Sequence, residues 1–177
     1  AAVRRAGVVR VQNVGQLFYA AKALASKFRP LGNRLAIITN GGGPGAMAAD
    51  RAGDLGIPLA QLTNETMATL NKTMPAAWSH SNPIDIAGDA TPDRYREAIL
   101  AVANDPNVDS TLVMLSPQAM TDPMGVAQAI IDISDQLKHS VICCWMGEEQ
   151  VAASRRLLED AGIPAFRMPE TAIELFH

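Results

Sequence analysis

The residues of this chain best suited to chemistry are a run of glycines. Asn40-Gly41-Gly42-Gly43-Pro44-Gly45-Ala46 follows the apolar run Leu35-Ala36-Ile37-Ile38-Thr39 and leads into a helical pattern. A strand, a glycine turn and a helix in that order leave backbone N–H groups uncovered at the positive end of the helix. Bare donors together with about half a unit of positive charge make a seat for an anion, phosphate above all. The candidate phosphate-binding residues are Asn40, Gly41, Gly42, Gly43, Gly45 and Ala46. The competing explanation is that the glycines only permit a tight turn. The run also fits G-x-G-x-x-A through Gly41, Gly43 and Ala46, so a dinucleotide enters the comparison. Against it, the next apolar segment ends Gln61-Leu62-Thr63 with no acid for a ribose, Glu65 reads as part of a first helical turn, and Pro44 removes one amide. No Gly-Lys-Ser/Thr follows, which excludes a P-loop.

Other reactive side chains are weaker candidates. In Asn82-Pro83-Ile84-Asp85, Pro83 holds Asn82 extended, and Asp85 sits between Ile84 and Ile86. A carboxylate so placed needs a partner, either in a site or in a local Asx turn. Asn82, Asp85 and Gln118 are the candidate crevice residues. His80 lies in a polar loop, His139 follows Lys138 at an expected helix C-terminus where a cation is favourable, and His177 is terminal. None reads as a nucleophile, no catalytic residue is assigned, and no metal-ligand spacing occurs. Arg94, Arg96, Arg155 and Arg156 read as solvated helix faces. Cys143 and Cys144 are adjacent on a strand, so they point to opposite faces and read as two reduced thiols of a cytoplasmic protein.

The elements that must position these groups alternate. Apolar runs at 35–39, 57–62, 111–115, 141–145 and 165–168 read as strands, the first of them buried on both faces. Helical patterns fill 46–55, 64–71, 92–102, 123–137 and 148–160, and another begins at Pro169. Their expected starts are Thr63 or Asn64, Thr91 with Pro92, and Thr121 or Asp122; residues 74–91 read as irregular. This alternation predicts an α/β fold, a flavodoxin-like three-layer sandwich with a five-stranded parallel sheet of order 2-1-3-4-5. The ligand crevice then lies beyond the carboxyl ends of strands one and three. Upstream, residues 1–7 read as the tail of a helix stopped at Gly7, 8–11 as a short β-type run and 14–25 as a helix with apolar residues at three- and four-residue steps. Residues 1–32 are accordingly expected to be a linker segment from a preceding domain, and 33–177 the flavodoxin-like domain. The chain reads as a piece of a longer polypeptide.

Composition narrows the class. With 177 residues, 48% hydrophobic and 19% charged, the chain has the makings of one soluble core. Fifteen Lys and Arg against eighteen Asp and Glu give a net charge of −3, so neither a nucleic acid nor an anionic membrane is an expected partner. No apolar run reaches the roughly 18 residues of a membrane span, and residues 1–7, with no apolar core ahead of a cleavage site, do not read as a secretory signal.

Several segments together resemble one family. Asn33 through Gly45, Asn82-Pro83-Ile84-Asp85, Gln118-Ala119-Met120-Thr121-Asp122-Pro123, Trp145-Met146-Gly147 and Gly162-Ile163-Pro164 resemble, in order and spacing, the CoA-ligase domain of NDP-forming acyl-CoA synthetases. More distantly the chain is similar to the carboxyl-terminal domain of the succinyl-CoA synthetase β subunit. The same domains occur in bacterial protein lysine acetyltransferases, where they can serve as non-catalytic, acyl-CoA-responsive modules. The resemblance implies an acid–thiol ligase that interconverts acyl-CoA, ADP and phosphate with a carboxylic acid, CoA and ATP. An acyl phosphate and then a phosphohistidine on a mobile loop carry the phosphoryl group, and two helices aim their N-termini at it. The helix after Asn40-Gly41-Gly42-Gly43 matches one of them. The family histidine, in a Ser-His-Thr-Gly-like segment, is not in this chain, so the chain is expected to be inactive alone. CoA, ADP or ATP and Mg are implied for the parent and no cofactor for this piece. The implied partners are CoA-binding, phosphohistidine-bearing and ATP-grasp domains of the same polypeptide, and a homo-oligomer is left open.

Overall fold

A computed structural model describes residues 10–11 and 13–176. The expected helix tail at 1–7, the start of the run at 8–11 and His177 lie outside the described residues; Arg10 and Val11 carry no strand. In chain order the elements are α1 (Val14–Ala25), β1 (Leu35–Thr39), α2 (Gly42–Asp54), α3 (Asn64–Thr73), β2 (Ile84–Asp85), α4 (Pro92–Ala103), β3 (Ser110–Leu115), α5 (Pro123–Ser134), β4 (Val141–Trp145), α6 (Glu149–Asp160), β5 (Ala165–Phe166) and α7 (Pro169–Glu174). The sheet is parallel throughout, in the order β2-β1-β3-β4-β5.

The strands β1, β3 and β4 are buried at every position because helices cover both faces. One face packs Ile38, Val113, Cys143 and Trp145 against Leu70, Tyr95, Ile130 and Val151 of α3 to α6. The other packs Ile37, Leu112, Met114 and Cys144 against Ala48 and Ala52 of α2 and Ile173 of α7. Alternation along each strand assigns neighbours to opposite faces, and the two cysteines do divide between the two clusters. Both are buried, and burial raises both thiol pKa values, that of Cys144 to about 12. They are inert core thiols.

The strand beside β1 differs from the expectation. Residues 57–62 make no strand; Leu59 forms one isolated bridge with Leu35. Pro58 has no N–H to give, but its carbonyl accepts from Leu35 N at 3.0 Å, and Ala60 N donates to Leu35 O at 2.8 Å. The chain then leaves through α3 and returns at β2, inside the stretch expected to be irregular. Between the two pieces the Asn82 side chain serves as a strand. Its Oδ1 accepts from Ile37 N at 3.0 Å, and its Nδ2 donates to Leu35 O at 2.9 Å and Ala60 O at 3.0 Å. All three bonds go to backbone groups that an edge strand would otherwise satisfy. The Asn82–Pro83 peptide bond is cis.

Helix α1 has its expected bounds but an unexpected orientation. Its apolar stripe faces outward, with Val14 69%, Phe18 70% and Leu24 65% exposed. The opposite face meets the domain: Tyr19 packs edge-on against Phe166, with ring centroids 5.8 Å apart, and Lys22 pairs with Glu159 at 2.5 Å. Among the described residues no helix is long and apolar enough to cross a membrane.

Candidate functional site: an open helix end beyond strand β1

Helix α2 begins at Gly42, four residues before the expected start at Ala46, so the glycines form its first turn. Gly41 is the N-cap, extended at φ −157°, and no side chain bonds the helix end. Thr39 accounts for both polar groups of Gly41: its Oγ1 accepts from Gly41 N at 3.1 Å and donates to Gly41 O at 3.0 Å. Gly45 N donates to Gly41 O at 3.2 Å, and Pro44 has no N–H. The N–H groups of Gly42 and Gly43 are left, both on exposed residues and neither bonded to another group among the described residues. Of the candidate donors the geometry therefore retains these two.

The other candidates have structural roles. A Cβ at Gly45 would stand 2.9 Å from Thr39 Cγ2 and 3.5 Å from Pro83 Cβ, so this glycine lets α2 close onto the sheet. Ala46 lies within the helix. The Asn40 side chain, 1% exposed, joins β1 to β3: Nδ2 donates to Ser116 O at 2.9 Å and Oδ1 accepts from Ser116 N at 2.8 Å. Asn82 is used up in the sheet edge. Gln118 Nε2 donates to Asn40 O at 3.1 Å and ties the exit of β3 to that of β1. Ser116, which the sequence did not single out, is the hinge of this arrangement; only its β3-terminal position pointed to it.

Asp85 does two things. Oδ1 accepts from Ala87 N at 3.0 Å, the local turn that its sequence context allowed, and Ala87 takes φ +71°. Oδ2 lies 3.1 Å from the point where a Cβ on Gly42 would stand. A carboxylate therefore borders the open helix end without capping it. The phenol of Tyr95 donates to Met114 O at 2.9 Å, and burial, then the Asp85 charge, raises its pKa well above the usual value.

Two arginines expected on solvated helix faces and a histidine expected at a helix C-terminus are placed differently. Arg94 donates from Nη1 to Ile86 O at 3.1 Å and to Asp89 Oδ1 at 2.6 Å, holding the exit of β2. Arg155 is 7% exposed and donates from Nη1 to Trp145 O and Gly147 O, each at 3.1 Å. Both serve carbonyls that a sequence pattern cannot show. His139 is not a helix-end cation, because α5 stops at Ser134. It is 5% exposed, its Nε2 lies 2.7 Å from Thr111 Oγ1, and burial lowers its pKa. His80 Nδ1 lies 2.8 Å from Asn71 Oδ1 in an exposed loop.

Chemically, the crevice offers two convergent N–H donors, a helix dipole and one carboxylate, with no nucleophile among them. Phosphate fits that donor set. Among the described residues no group of three or more His, Cys, Asp or Glu is placed to hold a metal ion.

Comparison with known proteins identifies the family to which this fold belongs. Over 99% of its length the chain superimposes on the Candidatus Korarchaeum cryptofilum dinucleotide-forming acetyl-coenzyme A synthetase 1 in complex with phosphate and ADP, at a TM-score of 0.90 and 33% identity, covering 38% of that chain. A second structural match is PH0766 from Pyrococcus horikoshii OT3, at a TM-score of 0.90 and 27% identity over 99% of this chain and 41% of that one. In sequence it is 40% identical over 173 residues to acetate–CoA ligase [ADP-forming] I of Archaeoglobus fulgidus, which covers 98% of this chain and 24% of the relative. It is 33% identical to the α subunit of acetate–CoA ligase [ADP-forming] I of Pyrococcus furiosus, over 98% of this chain and 38% of the relative. The chain thus spans between a quarter and two fifths of the length of these curated relatives. The Ligase-CoA domain family model matches residues 35–174, from the first residue of β1 to the last of α7, and the chain belongs to the Ligase-CoA domain family.

Proposed function

We propose that this chain is the domain of an ADP-forming acyl-CoA synthetase that receives the phosphoryl group in transit between acyl phosphate, phosphohistidine and nucleotide. The observation that carries the reading is the pair of unpartnered amides, Gly42 N–H and Gly43 N–H, at the uncapped start of α2. They donate to phosphoryl oxygens, and the helix end supplies a favourable field where negative charge concentrates. Donors fixed in place before the charge arrives need no reorganisation when it does, which is why such groups lower barriers. Asp85 Oδ2, which borders Gly42, accepts from an N–H or O–H of the incoming group, at an electrostatic cost to the phosphoryl oxygens that the amides and helix field offset. Gln118 and Asn40 hold the exits of β1 and β3 so that the two donors keep their direction.

The chain contributes no nucleophile to this scheme. The histidine, the CoA and nucleotide sites and any Mg belong to the rest of the polypeptide, in line with the greater length of the relatives. The 1–32 segment links this domain to the one before it. The test is Gly42→Val in the full protein. A Cβ there would stand 3.1 Å from Asp85 Oδ2 and meet no other group within 4 Å, so a small shift of that carboxylate admits it while the donors are covered. Synthetase turnover is expected to fall by about a hundredfold or more; unchanged turnover with a normal melting temperature contradicts the reading.

A further inference from the structure

A second concentration of charge lies at the outer edge of β5, between α1, α6 and the start of α7. A concavity of about 280 Å3 opens there, floored by Phe166. Helix α1 lies beside it, with Lys22 Nζ 5.1 Å from the Phe166 ring centroid and donating to Ala165 O. Lys22, Arg155, Arg156 and Arg167 all line it. Two carboxylates answer these four cations: Glu159 pairs with Lys22 at 2.5 Å and Glu148 with Arg167 at 2.9 Å. Among the described residues neither Arg155 nor Arg156 forms an ion pair. A local surplus of positive charge therefore stands on a chain whose net charge is −3.

Arg155 is the telling member. Its Nη1 is committed to Trp145 O and Gly147 O, which fixes the plane of the guanidinium. Its Nε and Nη2 bond no other group among the described residues. Neither is sealed off, since the only fully buried side-chain polar atom without a partner among them is Trp145 Nε1. Burial, and next the charge of Arg167, pulls the Arg155 pKa below its ordinary value. A guanidinium held in place by carbonyls, next to a like charge and with donors to spare, is the arrangement an oxyanion relieves.

We infer that this concavity is a binding site for a small oxyanion, a phosphate or carboxylate group, anchored by Arg155 with Arg156 and Arg167 at its mouth. Its volume falls just below the roughly 300 Å3 at which sites for drug-sized ligands begin. That room suffices for a group of few heavy atoms. None of its lining residues belongs to the α2 crevice, so the inference stands apart from the function proposed above. The alternative is that the charges only fasten α1 to the sheet edge.

The experiment is a titration of the 177-residue chain with inorganic phosphate and, separately, acetate, following the backbone amides of Phe166 and Thr171 and the Arg155 Nε resonance. Saturable shifts at these positions are expected, and the tighter ligand names the preferred oxyanion. The double variant Arg156→Gln/Arg167→Gln, at two exposed positions, is expected to keep its melting temperature and weaken binding about tenfold. Shifts confined to Gly42 and Gly43, no saturation at millimolar ligand, or an affinity the double variant leaves unchanged overturns the inference.

Discussion

Helices α2 and α5 leave the carboxyl ends of neighbouring strands, β1 and β3, and their first turns are treated in opposite ways. Asp122 closes α5: its Oδ1 accepts from Gly125 N at 2.9 Å. Helix α2, with Gly41 as its N-cap, has no side-chain acceptor, and the amides of its first two residues, Gly42 and Gly43, stay open. Every helix starts with four N–H groups that lack an internal partner. An end on which no side chain bonds these groups keeps them open to a ligand. Helices α3 and α4 follow α5, with Thr63 and Thr91 as acceptors. Helices α6 and α7 also lack a side-chain cap, but α2 alone among the described helices opens with two glycines. A Cβ at Gly43 would meet nothing within 4 Å, so that glycine is not demanded by packing.

The comparison breaks most visibly if α2 is given the treatment of α5. Gly41 is extended, and a Cβ there makes only ordinary contacts, the nearest at 3.4 Å from Ser116 Oγ. Gly41→Asp should therefore cap the helix, raising stability by a few tenths of a kcal/mol over glycine. The same carboxylate should occupy the donors and repel a phosphoryl group, so turnover of the full protein is expected to drop about a hundredfold. A variant that is more stable and still active contradicts the assignment. The converse change, Asp122→Ala, is expected to cost about 1 kcal/mol. In melting experiments that is a fall of about 2–4 °C for a domain of this size, with turnover unchanged at a temperature where the fold is intact.

A smaller effect contrasts the open end of the sheet with the other end. There Asp109 accepts from Arg34 N at 2.9 Å, Nε at 2.9 Å and Nη2 at 2.8 Å, and these bonds hold its carboxyl down at about 2. A carboxylate with a depressed folded pKa adds stability above its unfolded value near 4, and loses it as the pH falls through about 2. Asp109→Asn should therefore melt below the parent at pH 6, with the gap closing between pH 4 and 2. Arg34 is partly exposed, so the gap should stay below about 1 kcal/mol. A gap independent of pH would assign the loss to something other than the charge.

The alternation of buried strands and capped helices was legible because each signal is local. Thr91 with Pro92, and the continuous apolar run from Leu35 to Thr39, carry their meaning within a few residues. The unreadable parts depend on partners distant in sequence. Nothing local announces that Asn82 will stand in for a strand beside Leu35 and Ile37, so β2 was sought at 57–62. The Arg155 guanidinium bonds the carbonyls of Trp145 and Gly147, ten and eight residues away, where its helical position alone reads as solvent-facing. The apolar stripe of α1 predicted its helix, while periodicity reports that a stripe exists and not what it meets. For the candidate site, the glycine run marked the passage from β1 into α2, but of its candidate donors only Gly42 and Gly43 keep open amides among the described residues. Which amides remain free depends on Thr39 and on the helix starting at Gly42.

The central claim is most directly tested on the phosphorylated full protein by NMR of the Gly42 and Gly43 amides. The account predicts a downfield shift of both amide protons, and coupling to phosphorus through the hydrogen bond, when the phosphoryl group is delivered to this domain. Amide signals that stay where they are in the unphosphorylated protein, with the phosphoryl group in place, would contradict it.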